Sequence, residues 1–303
     1  MNTQSNSMPQ SPLESQAIAP AAMSVTRPMY WSIRRELWEN RSIYIAPLIV
    51  AAVVLFGFLI ATIGRAMATS NLDHRRAVLE EPYNFAIGLI MATTFIVGIF
   101  YCLDALHGER RDRSILFWKS LPVSDLTTVL SKASIPLVVL PIITVTIIVA
   151  TNWVMLLMST VVLAGSGLSA GTLWTQVSLS LLMVLYHLLT VHVLWHAPIY
   201  SWLLLVSGWA RRAAFLWAIL PWAAICVVEK IAFNTSHFAN LLQYRFTGPE
   251  AFDFPARGSG SIHPMTHFAL GQFLSTPGLW IGFLLAAAFL AAAVRLRRYR
   301  GPM

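Results

Sequence analysis

Charged residues are scarce in this chain. Asp, Glu, Lys and Arg make up 11% of its 303 residues, whereas hydrophobic residues make up 57%. A soluble domain carries about 25% charged and about 45–50% apolar residues. A protein of this composition, folded in water, would expose apolar patches larger than those of soluble proteins. The composition therefore excludes a soluble domain and predicts an integral membrane protein.

Cysteine and lysine are also rare. The two cysteines, Cys102 and Cys226, both fall in long apolar runs, so no disulfide framework is predicted. None of the three lysines, Lys119, Lys132 and Lys230, follows a glycine, and the Gly-Lys-Ser/Thr signature of a P-loop does not occur in the sequence. We therefore expect no ATP site of this kind in the chain itself.

A secretory signal peptide is not predicted either. Residues 1–26 are rich in Ser, Pro, Gln and Ala, and no positively charged segment leads into an apolar core. This composition is typical of a disordered tail. We expect residues 1–26 to form such a tail on the cytoplasmic side.

Six apolar runs are long enough to cross a bilayer, whose hydrocarbon core of about 30 Å needs about 20 residues of helix. They lack the period-two alternation of a transmembrane barrel, so we expect helices. The predicted fold is all-α, with a six-span transmembrane domain over residues 43–303. A further apolar stretch, Ile199–Val206, leaves the boundary between the fourth and fifth runs open. The six runs are Tyr44–Ile63, Tyr83–Leu106, Ile135–Ala164, Leu173–Leu194, Ala213–Val228 and Gly278–Val294.

Basic residues are distributed unevenly between the loops. With both termini on one side, that side carries fifteen Lys and Arg residues and the other carries five, while Lys230 lies at a helix end. Because basic residues accumulate on the cytoplasmic side, both termini are predicted to be cytoplasmic, in the inner membrane. The net charge of +8 is then explained by the basic residues that accumulate on the cytoplasmic side, where they contact anionic lipid. The basic residues form no continuous stripe, so nucleic acid is not an expected partner.

The segment before the first span, residues 27–42, has the pattern of an amphipathic interface helix. Trp31 and Trp38 fall at helical spacing, while Arg34 and Arg35 lie on other faces. Such a helix lies in the membrane interface with its aromatic rings at headgroup depth and its arginines in water. Two interpretations stay open: an anchor for the first span only, or an anchor that also contacts a cytoplasmic partner.

The loop between the second and third spans is polar and basic, and reads GERRDRSILFWKSLPVSDLTTVLSK over Gly108–Lys132. The Leu-Pro-Val sequence at 121–123 breaks a helix, because proline removes a backbone donor. Ser124 or Asp125 can then cap a short helix that runs to about Lys132, since a side-chain oxygen accepts from free N–H groups. This pattern is typical of a compact docking segment, and an ordinary amphipathic loop is the alternative.

Two segments, Gly108–Lys132 and PIYSWLLLVSGWARRA over Pro198–Ala213, resemble bacterial ABC exporter permeases of the type-2 class. The resemblance extends over the interface helix and the six-span layout, and so over nearly everything after residue 27. It implies a permease that pairs with a second copy or a paralogue. It also implies a separate ATPase subunit, which binds ATP and Mg²⁺, while this chain holds no cofactor.

The resemblance further implies a coupling helix between spans two and three that sits in a groove of the ATPase. The aliphatic and aromatic spans are compatible with an amphipathic or hydrophobic substrate. By position, the implied interface helix is Tyr30–Glu39. The implied coupling segment is Leu121, Pro122, Val123, Ser124, Asp125, Leu126 and Thr127.

Polar side chains inside spans are candidates for function, because burying them in lipid is costly. Asp104 and His107 lie three residues apart at the end of the second span, and we expect a structural ion pair or hydrogen bond there. Asn152, in the third span, is expected to hydrogen-bond between helices. Glu229, at the end of the fifth span, is a candidate for lining the exit of a transport path.

An intramembrane metal-dependent enzyme is an alternative function. His187, His192 and His196 lie on the fourth span, and the last two have the i, i+4 spacing of paired metal ligands. A third ligand and an acid–base partner are not evident, so no metal site is predicted.

Another alternative is a membrane scaffold or sensor subunit, in which the basic loop binds a different cytoplasmic protein. The long external segment 234–277 has no assigned role. It is expected to be irregular, apart from a short amphipathic helix at Met265–Leu274.

Overall fold

The computed structural model describes residues 26–66, 72–120, 123–165, 171–247 and 270–300, and the regular secondary structure in these ranges is entirely helical. Two segments, Ile135–Val139 and Leu188–Trp195, are π-helical. The α-helices are α1 (Thr26–Glu39), α2 (Ser42–Ala66), α3 (Leu72–Ala105), α4 (His107–Arg111), α5 (Ile115–Ser120), α6 (Asp125–Ser134), α7 (Leu140–Gly165), α8 (Gly171–His187), α9 (Ala197–Trp209), α10 (Ala214–Phe233), α11 (His237–Thr247), α12 (Leu270–Ser275) and α13 (Pro277–Tyr299).

Five helical stretches within the described ranges are long and apolar enough to cross a membrane. At about 1.5 Å of rise per residue, each is long enough for a hydrocarbon core of about 30 Å. The protein is therefore all-helical and membrane-embedded with several passes, as the composition predicts. The five stretches are Ser42–Ala61, Pro82–Arg111, Asp125–Val161, Ala214–Phe233 and Pro277–Tyr299.

The stretch Asp125–Val161 is longer than one membrane crossing requires. Its 37 residues correspond to about 55 Å of helix, nearly twice the thickness of the hydrocarbon core. The helix widens from α to π at Ile135–Val139, where Pro136 has no N–H to donate. α6 therefore forms an extension of α7, and the two together are longer than one crossing of the apolar core requires.

The fourth predicted span continues further than expected. α8 passes into the π-helical segment Leu188–Trp195 and then into α9, so the expected end at Leu194 falls inside a helical path. Pro198 in the first turn of α9 lacks an N–H donor, which favours the irregularity before it. Leu204 is fully buried, and Ile199–Val206 belongs to a helix packed inside the bundle.

The first and last described helices meet at one end of the bundle, which we call the near end. Arg35 of α1 and Arg297 of α13 both contact Glu109 of α4 there. At the opposite, far end, Phe58 of α2 packs with Leu173 of α8 in a separate apolar cluster. The turn between α9 and α10 returns to the near end, where Ala210 lies in an apolar cluster with residues of α3.

The segment 234–277, which was predicted to be external, is more helical than expected. α11 occupies much of its first part, because the Glu229 carboxylate accepts from the backbone N–H groups of His237 at 2.7 Å and Phe238 at 2.9 Å. These bonds satisfy donors that a helix start otherwise leaves free. Of the helix expected at Met265–Leu274, the described part from residue 270 is helical, and residues 248–269 lie outside the described ranges.

Candidate functional site

α6 begins inside the predicted coupling segment. Ser124 has an extended backbone, and its Oγ accepts a hydrogen bond from the N–H of Thr127 at 3.1 Å, which makes it the N-cap. Asp125 lies in the first turn, where a carboxylate interacts favourably with the helix dipole. The start of α6 is therefore fixed by its own sequence.

The other predicted coupling residues surround this cap. Val123 is half-buried, and Leu126 is 54% exposed on the outer face of α6. Leu121 and Pro122 lie outside the described residues.

The inner face of α6 carries a buried charge. Asp125, Val129 and Lys132 fall at i, i+4 and i+7, and therefore share one side of the helix. Val129 is fully buried and Lys132 is only 2% exposed. Because a buried ammonium is costly unless it is paired, Lys132 needs anionic partners at this position.

α1 also has two distinct faces. Trp31 and Trp38 are exposed, and the guanidinium carbon of Arg34 lies 5.3 Å and 5.1 Å from their ring centroids. These distances are those of cation–π contacts. Arg35 and Glu36 turn toward the bundle instead, so the expectation that both arginines stay in water does not hold for Arg35.

Charged side chains from four helices meet at the near end in a group that we call the ionic cluster. Lys132 Nζ lies 2.8 Å from Oε1 of Glu36 and 3.1 Å from Oε1 of Glu109. Arg35 Nη2 lies 3.0 Å from the same oxygen of Glu109. Glu36 also accepts from the Tyr101 hydroxyl at 2.9 Å. The ionic cluster consists of Arg35, Glu36, Glu109, Asp125, Lys132 and Arg297.

Arg297 connects the ionic cluster to the start of α6. Its Nη1 contacts Oε2 of Glu109, and its Nε lies 3.2 Å from Oδ1 of Asp125. The ionic cluster thus holds three cations and three anions, so its formal charge is zero. Burying a charge pair costs solvation free energy, but removing one partner of a buried pair costs more, because a charge is left uncompensated.

A second set of hydrogen bonds attaches α4 to the end of α9. The backbone N–H of His107 donates to Ser207 Oγ at 2.8 Å, and its ring Nδ1 lies 3.2 Å from the carbonyl oxygen of Ala210. Arg110 donates to the carbonyl of Gly208 at 2.8 Å. Asp104 is exposed, and one of its oxygens lies 3.8 Å from a guanidinium nitrogen of Arg111.

A cavity of about 150 Å³ opens between α1 and α6 next to the ionic cluster. Trp31, Arg35, Trp118 and Thr128 are among its lining residues. The Arg35 guanidinium carbon lies 3.6 Å from the ring centroid of Trp118, so α5 is connected to α1 through this stacking contact. α5 is therefore connected to the ionic cluster through Arg35.

Two predicted membrane polar residues have local roles. The buried Asn152 amide donates to the carbonyl of Ile148 at 2.8 Å, one turn back in the same helix, and not to a neighbouring helix. Glu229 caps α11, as described above, and its carboxylate also accepts from the Thr235 hydroxyl at 2.8 Å.

The predicted histidine pair is buried in the bundle. His192 Nε2 lies 3.1 Å from the Tyr200 hydroxyl, and His196 Nε2 lies 3.2 Å from the carbonyl oxygen of Phe246. The two rings are 5.8 Å apart. Within the described ranges, no group of three or more His, Cys, Asp or Glu residues is placed to hold a metal ion. The side chain of His187 lies outside the described atoms.

The ionic cluster was not predicted from the sequence, although signals for it are present there. Glu36 lies between Ile33 and Leu37 on the apolar side of α1. Lys132 lies three residues after Val129, on the same side of α6. A charged residue on an apolar stripe is a reason to look for a buried partner. The partners themselves are far away in sequence and are visible only in the fold.

Searches of protein families, of functionally characterised proteins and of solved structures return no match for this chain.

Proposed function

We propose that this chain is the membrane-spanning permease subunit of an ABC exporter, with a separate ATPase subunit as its partner. The observation that carries the proposal is the ionic cluster, in which Asp125 in the first turn of α6 pairs with α13 and Lys132 in its last turn pairs with α1 and α4. A segment that receives force from a partner needs rigid contacts to the helices that must move. Buried, mutually compensated charges supply such contacts.

The coupling segment is Leu121–Thr127, and Leu126 is the contact residue on its exposed face. Phe117 on α5 is also strongly exposed close to the coupling segment. Because α6 extends α7 beyond the length of one membrane crossing, these apolar side chains are suited to a protein partner. α1 lies in the membrane interface, with Trp31 and Trp38 at headgroup depth.

The energy for transport comes from the partner, because the sequence contains no P-loop lysine. ATP binding closes two ATPase subunits, which push the coupling segments of two permease chains. The ionic cluster carries this movement into α1, α4 and α13. The helix bundle then switches between two conformations, which expose a central cleft to different sides of the membrane. The second permease chain is another copy or a paralogue, and the substrate is amphipathic or hydrophobic.

Six membrane spans, with both termini cytoplasmic in the inner membrane, complete this proposal. Five of them are the apolar stretches described above. The sixth is the path of α8, the π-helical segment and α9. It runs from Leu173, which packs against far-end residues, to Ser207, whose hydroxyl accepts from the N–H of Leu106 at 3.0 Å near the end of α3.

The proposal is tested by purifying the full-length protein from its native membrane in mild detergent and identifying what accompanies it. A stoichiometric subunit with a P-loop supports the proposal. In the reconstituted complex, replacing Pro122 with Ala and Asp125 with Asn should then uncouple ATP hydrolysis from transport. If the protein purifies without an ATPase, even after crosslinking through Gly108–Lys132, the result argues against the proposal. Capture of a different cytoplasmic protein favours a scaffold or sensor subunit.

A further inference from the structure

Four arginines lie at the near end, around the turn that joins α9 to α10. Arg110 donates to the carbonyl oxygen of Gly208 at 2.8 Å, and Arg300 donates to that of Trp209 at 2.7 Å. Arg211 and Arg300 both lie close enough to Arg110 to repel its charge. Arg212 is the next residue in the turn. We call Arg110, Arg211, Arg212 and Arg300 the basic cluster.

The last turn of α9 fixes two of these guanidinium groups. The final carbonyl groups of a helix have no donor within the helix and carry partial negative charge. Arg110 and Arg300 occupy two such carbonyls, and are thereby held near each other although like charges a few ångströms apart repel. The fold therefore concentrates positive charge at this turn.

The other two arginines are exposed and have donors to spare. In the part of the chain that the structure describes, Arg211 and Arg212 make no side-chain hydrogen bond, and neither they nor Arg300 pairs with a carboxylate. The ionic cluster at the same end differs, because its carboxylates balance its cations. The basic cluster thus presents accessible N–H donors and a positive charge to a ligand outside the chain.

Two candidate spans place the basic cluster at the boundary of the membrane. Arg211 and Arg212 come just before the span Ala214–Phe233, and Arg300 comes directly after the span Pro277–Tyr299. The bond from Arg300 to the end of α9 shows that these two span ends are neighbours. Phosphate groups of the lipid lie at this boundary, and the planar guanidinium group of arginine binds phosphate well.

The first turn of α10 exposes apolar side chains next to the arginines. Phe215 and Leu216 are exposed, and so are Trp209 and Trp217, whose rings lie 4.8 Å apart. Exposed tryptophans at the end of a span are typical of headgroup depth. A charged group followed directly by an apolar surface matches an amphipathic molecule, with its anion at the arginines and its acyl chains along α10.

We propose that the basic cluster binds the phosphate of one anionic phospholipid, whose acyl chains lie along the exposed face of α10. A lipid of net negative charge is favoured over a zwitterionic one, because the basic cluster repels a cationic headgroup. Free inorganic phosphate is the other source of the same oxyanion. The inference depends on membrane embedding alone, so failure of the exporter proposal leaves it intact, and the reverse also holds.

The test is native mass spectrometry of the full-length protein, purified in detergent and titrated with phosphatidylglycerol or phosphatidylcholine of identical acyl chains. We expect wild type to bind one phosphatidylglycerol in preference to phosphatidylcholine. Arg211→Gln should weaken this binding about fivefold, and Arg211→Gln/Arg212→Gln about 25-fold, because each arginine at an anionic surface contributes a factor of about five. Arg211→Lys keeps the charge and should weaken binding less than Arg211→Gln does.

Arg41→Gln is the matched control. It also removes one exposed arginine directly before a candidate span, Ser42–Ala61, but outside the basic cluster, and it should bind phosphatidylglycerol as wild type does. An equal loss in Arg41→Gln and Arg211→Gln would show a general effect of surface charge and overturns the proposal. Wild type without preference for phosphatidylglycerol also overturns it.

Two further outcomes identify a different ligand. Binding of inorganic phosphate that requires Arg211, without a lipid preference, contradicts the lipid as the source of the anion. If Arg211→Gln/Arg212→Gln keeps its phosphatidylglycerol but loses a protein subunit that accompanies wild type, the arginines contact that subunit, and the lipid proposal is wrong.

Discussion

Arg297 Nε donates a hydrogen bond to Oδ1 of Asp125 at 3.2 Å, across 172 positions of the chain. Asp125 is the first residue of α6, and Arg297 lies in the last turn of α13. The same guanidinium also contacts Glu109 of α4. The first turn of α6 is therefore bonded directly to α13, and through the same guanidinium to α4.

Lys132→Met should destabilise the protein strongly. The substitution leaves Glu36 and Glu109 buried without their shared cation, and breaking a buried pair in this way costs about 3–5 kcal/mol. The free energy of unfolding, measured by denaturant titration in mixed micelles with tryptophan fluorescence, should fall by that amount. Lys230→Met, at an exposed position of α10, is the control and should change it by less than about 0.5 kcal/mol. Equal losses in both variants would show that the ionic cluster does not contribute as described.

Asp125→Asn and Arg297→Gln should not be additive. Because their side chains are in contact, the double variant should lose less stability than the two single losses together, with a coupling of about 0.5–3 kcal/mol. Arg297→Gln alone should cost more than Asp125→Asn, since it also leaves Glu109 without one partner. A double-mutant cycle on the free energy of unfolding measures both quantities. Strict additivity would contradict the contact.

Gly98→Ala should destabilise the bundle. A Cβ at this position would lie 3.1 Å from Cε1 and 3.3 Å from the hydroxyl of Tyr200, which contacts His192. Overpacking of this kind costs about 1–3 kcal/mol. Gly88→Ala in the same helix meets nothing within 4 Å and should stabilise by about 0.5–1 kcal/mol. Thermal unfolding followed by circular dichroism distinguishes the two variants. If the unfolding temperatures of both variants change in the same direction, the packing around Tyr200 is not as described.

Ser124→Ala should loosen the first turn of α6 without affecting the rest of the protein. The substitution removes the acceptor for the Thr127 N–H, and loss of an N-cap typically costs about 1 kcal/mol. Hydrogen exchange at the amides of Thr127 and Thr128 should accelerate about fivefold, as that free energy implies. Ser120→Ala, which removes a side-chain bond at the end of α5, is the matched control. Unchanged exchange at Thr127 in Ser124→Ala would exclude the capping role.

The membrane-embedded, all-helical fold was predictable from composition and run length, because those depend only on transfer of apolar residues into lipid. The cap of α6 was also predictable: the sequence offers Ser124 or Asp125, and the structure has Ser124 as the cap. The continuation of the fourth apolar run through α9 was left open by the sequence, because the apolar stretch Ile199–Val206 follows it closely and the π-helical segment before Pro198 has no sequence signature.

The ionic cluster was beyond prediction for a different reason. Glu109 and Arg297 are 188 positions apart, and their contact results from the packing of α13 against α6 and α9. Each residue alone looks like an ordinary charged residue near the end of a span. Arg35 illustrates the same limit: helical spacing places it beside Arg34, but only the neighbouring Glu109 and Trp118 draw it inward.

The most direct test of the proposed function is site-specific crosslinking from position 126 in native membranes. Leu126→Cys, in a chain with Cys226 replaced by alanine, presents a reactive group on the exposed face of the proposed coupling segment, while Cys102 stays buried. Leu284→Cys, exposed in the middle of α13, is the control. We predict that Leu126→Cys captures a P-loop ATPase and that Leu284→Cys does not. Capture of no ATPase from position 126, or equal capture from both positions, would contradict the permease assignment.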